Sequence, residues 1–308
     1  MRPRRQKIIY SFVSHKYHME FRNFIENAAL NECVVAGVRL QDGVVLAKNR
    51  DRGYKANVEI IHELINGTEV MYWRDVDTDW CEGMNEYGLG MVSSSLMVNQ
   101  DEKEGLRVIN GKKVPDDKHK KIVTNEGNKI RQALSHTNLK DMVKSVVNGK
   151  NKKGKNVGLR GQTLVSDGVN LYALEITKDS KVVKRVSDDD SVTVRTNHGI
   201  YDKEAGYNKG RKKESSHSRM NLAKKNLADV QVPSDVLDIL KKKYVSDPFL
   251  NPYRTKSPWL MHTTGQILLD LKNLRVVVRM DNDEGVFRGI VNNLPIGYNS
   301  KIRVVVEH

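Results

Sequence analysis

The sequence predicts a strand-rich α+β protein, and three observations carry that reading. Short apolar runs recur over 33–51, 58–97, 162–194 and 266–306, broken by Asp-Gly, Asn-Gly and Lys-Asn pairs that read as hairpin turns. Two other stretches, about 128–147 and 218–244, carry their apolar residues at helical spacing. No internal repeat is evident, and 308 residues are enough to bury one full core.

In chain order, 20–30 places Phe21, Phe24, Ile25 and Ala28 at helical spacing, which predicts a short amphipathic helix. From Cys33 to Asp51, two apolar arms flank Gln41-Asp42-Gly43, a tight hairpin with Cys33 opening one strand and Lys48-Asn49-Arg50-Asp51 closing the next. Val58–Ile65 and Glu69–Trp73 read as strands around Asn66-Gly67, and 79–92 reads as a strand pair turning at Asn85-Glu86-Tyr87-Gly88. Residues 101–121 are polar and predict an exposed excursion. Helices are expected at Asn128–Leu134 and Asn138–Val147, the second with Leu139, Met142, Val143 and Val146 as its core stripe. A hairpin across Asp167-Gly168 joins 162–165 to 171–176, and 182–183 and 192–194 continue the sheet. A helix is expected from Ser215, and another from Pro233 with Ser234 as N-cap. Strands at 266–271 and 274–280 flank Lys272-Asn273.

Charge bounds the partners. The chain is basic, +14 with a pI near 9.6, but its lysines cluster in 150–155 and 209–213 among Asn and Gly, as in solvated loops. A nucleic-acid groove interleaves basic residues with stacking aromatics, and aromatics are only 6% here, so nucleic acid is not the expected partner. An anionic substrate or acidic surface stays open. Two cysteines, at 33 and 81, make neither a disulfide framework nor a metal cluster. His62-Glu63 resembles the start of a zinc-protease helix, but Asn66 stands where a second histidine is needed. There is no Gly-rich phosphate loop, so no cofactor or metal is expected. Neither a signal-peptide pattern nor a membrane span is present, which predicts a cytoplasmic protein; Met19 leaves a second start of translation open.

The hairpin from Cys33 is the chemically informative stretch. A thiol is a strong nucleophile once a neighbouring base takes its proton. Cleavage before Cys33 would create an α-amine with a pKa of roughly 8, which could be that base. The returning arm brings Asp51 back toward it, as an acceptor that orients the amine. The competing reading is Cys33 as a small buried apolar residue. Cys81 is the rival nucleophile, but it lacks the hairpin and the basic-Asn-x-Asp tail, which suits packing.

A cysteine opening a hairpin with that tail resembles the N-terminal nucleophile hydrolases, and within them the linear-amide C–N hydrolases: choloylglycine hydrolases, penicillin V acylases, acid ceramidase-like amidases and penicillin acyltransferases. Further motifs agree in order: Gly83-Met84-Asn85-Glu86-Tyr87-Gly88-Leu89, Thr196-Asn197-His198, Ser215-Ser216-His217-Ser218-Arg219, and Asn251-Pro252-Tyr253-Arg254 followed by His262-Thr263-Thr264-Gly265. Each is weak alone; the ordered set is fairly specific and spans Cys33 to about residue 280.

The resemblance implies a four-layer αββα sandwich, residues 1–32 as a leader or propeptide, and 33–308 as one domain. It implies Cys33 as nucleophile, Asp51 orienting its amine, Asn197 offering its amide NH2 to the oxyanion, and Arg219 adding positive charge nearby. Ser94 and Ser95 fall near the acyl carbonyl, where bile-salt hydrolases carry an asparagine as a second oxyanion donor, so that donor is in doubt. Most relatives have Arg where this chain has Lys48; Lys lacks the bidentate fork, so Lys48 would bind substrate differently, and Arg50, two residues on and on the same strand face, could replace it as a substrate contact. The expected partner is a small-molecule N-acyl amide, with a homo-oligomer left open. Resolution of the acyl-enzyme by water gives an amidase and by an amine an acyltransferase. The alternatives are a non-catalytic basic binding protein on the same fold, and a papain-like Cys-His protease for which no local signature appears.

Overall fold

A computed structural model describes residues 31–53, 56–96, 106–109, 112–115, 117–150, 154–255, 262–280 and 286–301. The helix expected at 20–30 lies outside them. The strands are β1 Asn31–Leu40, β2 Gly43–Arg52, β3 Val58–Ile65, β4 Thr68–Asp75, β5 Cys81–Asn85, β6 Gly90–Ser94, β7 Leu106–Ile109, β8 Lys112–Pro115, β9 Gly161–Ser166, β10 Leu171–Ile176, β11 Lys181–Arg185, β12 Val192–Arg195, β13 His262–Asp270, β14 Arg275–Met280, β15 Val286–Ile290 and β16 Asn299–Lys301. The helices are α1 Asp117–Leu134, α2 Leu139–Asn148, α3 Gly210–Leu227 and α4 Pro233–Lys241.

Six strands form one antiparallel sheet in the order β12-β1-β2-β13-β14-β15. Among the described residues eight strands form a second, β11-β10-β9-β6-β5-β4-β3-β16, and β7 and β8 pair with each other as a third. Alternation along each strand sends side chains to opposite faces, so each of the two larger sheets feeds two cores. Val35, Leu46, Ile60, Met71, Trp73, Leu164 and Ile267 pack between the sheets. Met91, Val165 and Tyr72 pack under α1 and α2 with Ile130, Leu134, Met142 and Val146. Val34, Ala36, Val45 and Ala47 pack under α3 and α4 with Ala223, Leu227, Leu237 and Leu240. The layers are therefore helix, sheet, sheet, helix, the αββα sandwich expected.

Several local expectations change. The β1–β2 loop is Gln41-Asp42, with Leu40 paired to Gly43. Gly43 is needed for another reason: its φ is +131° and a Cβ there would lie 2.7 Å from the Gly168 carbonyl oxygen. Asn66-Gly67 does form the tight turn, both residues having positive φ, 53° and 82°. Within the polar excursion at 101–121, β7 and β8 pair and α1 starts at Asp117. Within α1, Gly127 lets the helix approach the β4–β5 turn; a Cβ would fall 1.9 Å from the Asp79 carbonyl oxygen. Helix α3 begins at Gly210, so Arg211, Lys212 and Lys213 form its first turn rather than a loop. In α4 the N-cap is Val232, with Pro233 at the first helical position, where a missing N–H costs nothing; Ser234 is one residue inside. Among the described residues no helix is long and apolar enough to cross a membrane.

Candidate active site

Cys33 is the third residue of β1, paired with Arg50, while Glu32 pairs with Asp51. The one-residue offset decides the site's layout. Cys33 and the row Lys48, Arg50, Arg52 face the space between the sheets; Glu32, Asn49 and Asp51 face α3 and α4. Asp51 therefore stands beside Cys33 on the ladder but on the opposite face from its sulfur.

On the helix side two guanidinium groups meet two carboxylates, all buried. Arg219, one side chain of α3, donates to the Cys33 carbonyl at 3.2 Å, Asp51 Oδ2 at 3.4 Å, Glu32 Oε2 at 3.0 Å and Asn197 Oδ1 at 3.1 Å. Arg254 lies 2.6 Å from Glu32 Oε2 and 3.7 Å from Asp51 Oδ2, and the Tyr207 hydroxyl donates to Glu32 Oε1 at 2.8 Å. Thr263 donates to Asp51 Oδ1 at 2.7 Å. Burial alone would raise Glu32, but Arg254 and Arg219 outweigh it and hold the carboxyl below its ordinary range. For Asp51 burial prevails over the same arginines, and its pKa is raised.

Asn197 follows β12 and bridges the two sheets. Its Oδ1 accepts from the Cys33 backbone N–H at 3.0 Å, and its Nδ2 donates to Ser94 Oγ at 3.0 Å and to the Ser95 carbonyl at 2.9 Å. Donors on one end and a carbonyl acceptor on the other fix the amide's orientation. The expected geometry, with NH2 aimed at an oxyanion, is thus not the one found: the oxygen faces the cysteine nitrogen and the NH2 is held by Ser94 and Ser95.

Behind Cys33 Sγ the charges are of a different kind. Arg52 Nη1 is 3.8 Å from the sulfur and pairs with Asp75 at 3.4 Å. Lys48 and Arg50 share a strand face as expected, and both bind the buried Glu82 carboxylate, one on each oxygen. Trp80 Nε1 adds a third hydrogen bond to Glu82, 2.8 Å, and the Arg50 guanidinium stacks on Trp73 at 3.7 Å from the ring centroid. Both cations are fully buried where they meet Glu82. Burial pushes Lys48 down, while Arg50 and Lys48 overcome the burial of Glu82 and hold it at about 2 against an ordinary 4.5. A carboxyl with a depressed folded pKa stabilises above its unfolded value, and that contribution is lost as pH falls from 4.5 toward about 2. Glu82→Gln leaves two buried cations without their counter-ion; we expect a loss of about 3–5 kcal/mol in urea unfolding at neutral pH. A loss below about 1 kcal/mol, the size of a surface pair, would show that the cluster is solvated.

The sequence motifs acquire physical reasons. Thr196 Oγ1 donates to the Ser216 carbonyl, Asn197 N–H to Ser216 Oγ, and the His198 and His217 rings stack at 3.7 Å, so the two motifs are zipped together. Ser215 Oγ links the Phe249 carbonyl and the Arg254 guanidinium, and Asn251 closes its own loop through Tyr244 N–H and Val245 N–H. Asn49 ties β2 to the Leu240 and Pro252 carbonyls. Asn85 is a turn anchor, accepting from Tyr87 and Leu89 N–H and donating to the Leu134 and His136 carbonyls. Cys81 is fully buried under α1, with its thiol pushed up to about 12 by burial, as packing requires.

Sequence reasoning missed Glu32, Arg52, Glu82, Tyr207 and Thr263 as members of the site, and gave Arg254 no role. Arg52 was readable from the two-residue alternation of β2, and Arg254 and Thr263 from the motifs that contain them. Glu32, Glu82 and Tyr207 carry no local signal.

Among solved structures the chain is similar to penicillin V acylase from Agrobacterium tumefaciens, with a TM-score of 0.55 and 11% identity over 89% of this chain and 94% of that one. It is similar also to two variants of conjugated bile acid hydrolase from Clostridium perfringens, at TM-scores of 0.52 and 0.51, with 13% and 12% identity over 90% and 89% of this chain and 99% of each of theirs. No protein-family model matches the chain, and no curated protein matches it. The chain thus has the fold of these structures, and the likeness runs over nearly the whole length of each.

Proposed function

We propose that the chain is a cysteine N-terminal nucleophile amidohydrolase that cleaves a linear amide C–N bond through a thioester. One observation carries it: the two ends of a single residue are separately held, Cys33 N–H by Asn197 Oδ1 and Cys33 C=O by Arg219, on a fold shared with an acylase and a bile acid hydrolase.

Maturation comes first. Cys33 Sγ adds to the Glu32 carbonyl carbon, the C–N bond breaks, and the nitrogen leaves as the Cys33 α-amine carrying the proton from sulfur. Water then opens the thioester, releasing residues 1–32 with a new carboxylate and restoring the thiol. Catalysis repeats the same chemistry on a substrate: sulfur attacks the acyl carbon while the α-amine takes the thiol proton and returns it to the leaving amine. Asn197 Oδ1, already on that nitrogen, and Asp51 orient the amine. The guanidinium of Arg52 faces the sulfur, and Arg219 places positive charge beside the reacting centre. Ser94 and Ser95 act through Asn197, whose NH2 they hold.

The test is turnover. Matured protein given a panel of N-acyl anilides should release the amine, form an acyl adduct on Cys33 visible by mass, and lose both in Cys33→Ala. Asp51→Asn should weaken the labelling. An unlabelled Cys33 together with steeply salt-dependent binding to polyanions would replace the enzyme reading with the binding-protein one.

A further inference from the structure

Glu32 is the acyl half of the bond that Cys33 must open, and its side chain occupies a cradle of its own. Its carboxylate is 3% exposed and takes hydrogen bonds or ion pairs from Arg219, Arg254 and Tyr207 at 2.6–3.0 Å. Among the described residues, Arg219 and Arg254 share one other carboxylate there, Asp51. When residues 1–32 leave, one of the two balancing negative charges leaves with them. Buried charge without compensation is costly, so the matured cradle favours an incoming anion.

We propose that the substrate's acyl group carries a carboxylate at the distance Glu32 sets, a glutaryl-type acyl amide whose free carboxylate seats between Arg219 and Arg254. The proposal rests on the amidohydrolase reading above and names the class of acyl group for that same site. The leader's last residue is then a copy of the substrate: Glu32 holds in the precursor the place the acyl chain holds in turnover. Because the scissile carbonyl and the side-chain carboxylate belong to one residue, their separation fixes the chain length. A five-carbon dicarboxylic half-amide matches it, and a shorter or longer diacid displaces either the carbonyl from Cys33 or the carboxylate from the arginines.

Matured protein should be assayed with glutaryl, succinyl, adipyl and pentanoyl p-nitroanilides, pentanoyl being the neutral chain of equal length. We expect kcat/KM for glutaryl to exceed pentanoyl on the order of 100-fold, as loss of a charged hydrogen-bond set implies, with succinyl and adipyl between them. Arg254→Met should collapse the glutaryl-to-pentanoyl ratio to within a few-fold. Should that variant fail to fold, competition on the wild type gives the same answer: free glutarate should inhibit turnover of the pentanoyl anilide where pentanamide does not. Pentanoyl turned over as fast as glutaryl, with no inhibition by glutarate, overturns the anionic acyl site while leaving the amidohydrolase intact. No turnover of any anilide and no acylation of Cys33 overturns the hydrolase reading beneath it.

Discussion

Purified wild-type protein is expected to begin at Cys33, whereas Cys33→Ala keeps the Glu32–Cys33 bond region as an uncut Glu-Ala junction and retains whatever precedes it. Intact mass and N-terminal sequencing read both. The expectation follows from what surrounds the bond. Glu32 and Cys33 sit inside β1, where the ladder with Asp51 and Arg50 fixes the backbone, and Arg219 and Asn197 clamp the groups on either side of Cys Cα. A fixed carbonyl next to a fixed thiol has already lost the orientational freedom that slows an ordinary peptide bond, an advantage worth about 7–11 kcal/mol when geometry is near-attack. The alanine variant keeps that clamp and loses only sulfur, so it should fold and remain uncut with no measurable amide turnover. Wild-type protein that stays joined at Glu32–Cys33 through prolonged incubation would contradict maturation, and with it the α-amine as proton carrier.

How much of this was legible depended on the range of the interaction. The hairpin of Cys33 and Asp51 is local, and its strands followed from alternation and a turn signal. Even there the sequence could not say that Asp51 pairs with Glu32 rather than Cys33, because a register shift by one residue leaves the apolar pattern of two fully buried faces unchanged. Glu32 read only as the residue on the acyl side of the bond before Cys33, since the meaning of its carboxylate comes from Arg219, 187 residues away. Glu82 was equally silent: a lone carboxylate in a short strand becomes the counter-ion of Lys48 and Arg50 only when the two sheets stack. The same limit explains the early start of α3. Arg211-Lys212-Lys213 is solvated and lacks a stripe, so nothing local distinguishes a helical first turn from a loop; docking of Ser215 and Ser218 onto the Phe249 and Leu250 carbonyls draws that turn in. Asn197 was picked out by motif, yet its amide direction depended on donors from β1 and α3 that only the fold assembles.

That direction makes a second strong expectation, at Asn197. Asn197→Ala removes the acceptor of the Cys33 N–H and one acceptor of Arg219, and leaves Ser95 C=O without this donor, all in a buried site. An unsatisfied buried polar group costs about 1–3 kcal/mol, so the variant should be measurably less stable in urea. Its larger effect should be kinetic: release of residues 1–32 and amide turnover should each fall on the order of 100- to 1000-fold, the range seen when a positioned amide is lost from an acyl-transfer site. Asn197→Asp separates the two ends of the side chain. It keeps oxygen acceptors toward Cys33 N–H and Arg219 but turns an acidic oxygen toward the Ser95 carbonyl, where a donor is required. If the Oδ1 contact to the nitrogen governs the chemistry, Asp should mature faster than Ala at equal or lower stability. If the NH2 group swings in after maturation to serve an oxyanion, as the family resemblance implies, Asp and Ala should be equally slow in substrate turnover. Equal wild-type rates in both variants would remove Asn197 from the reaction and leave it as a strap between the sheets.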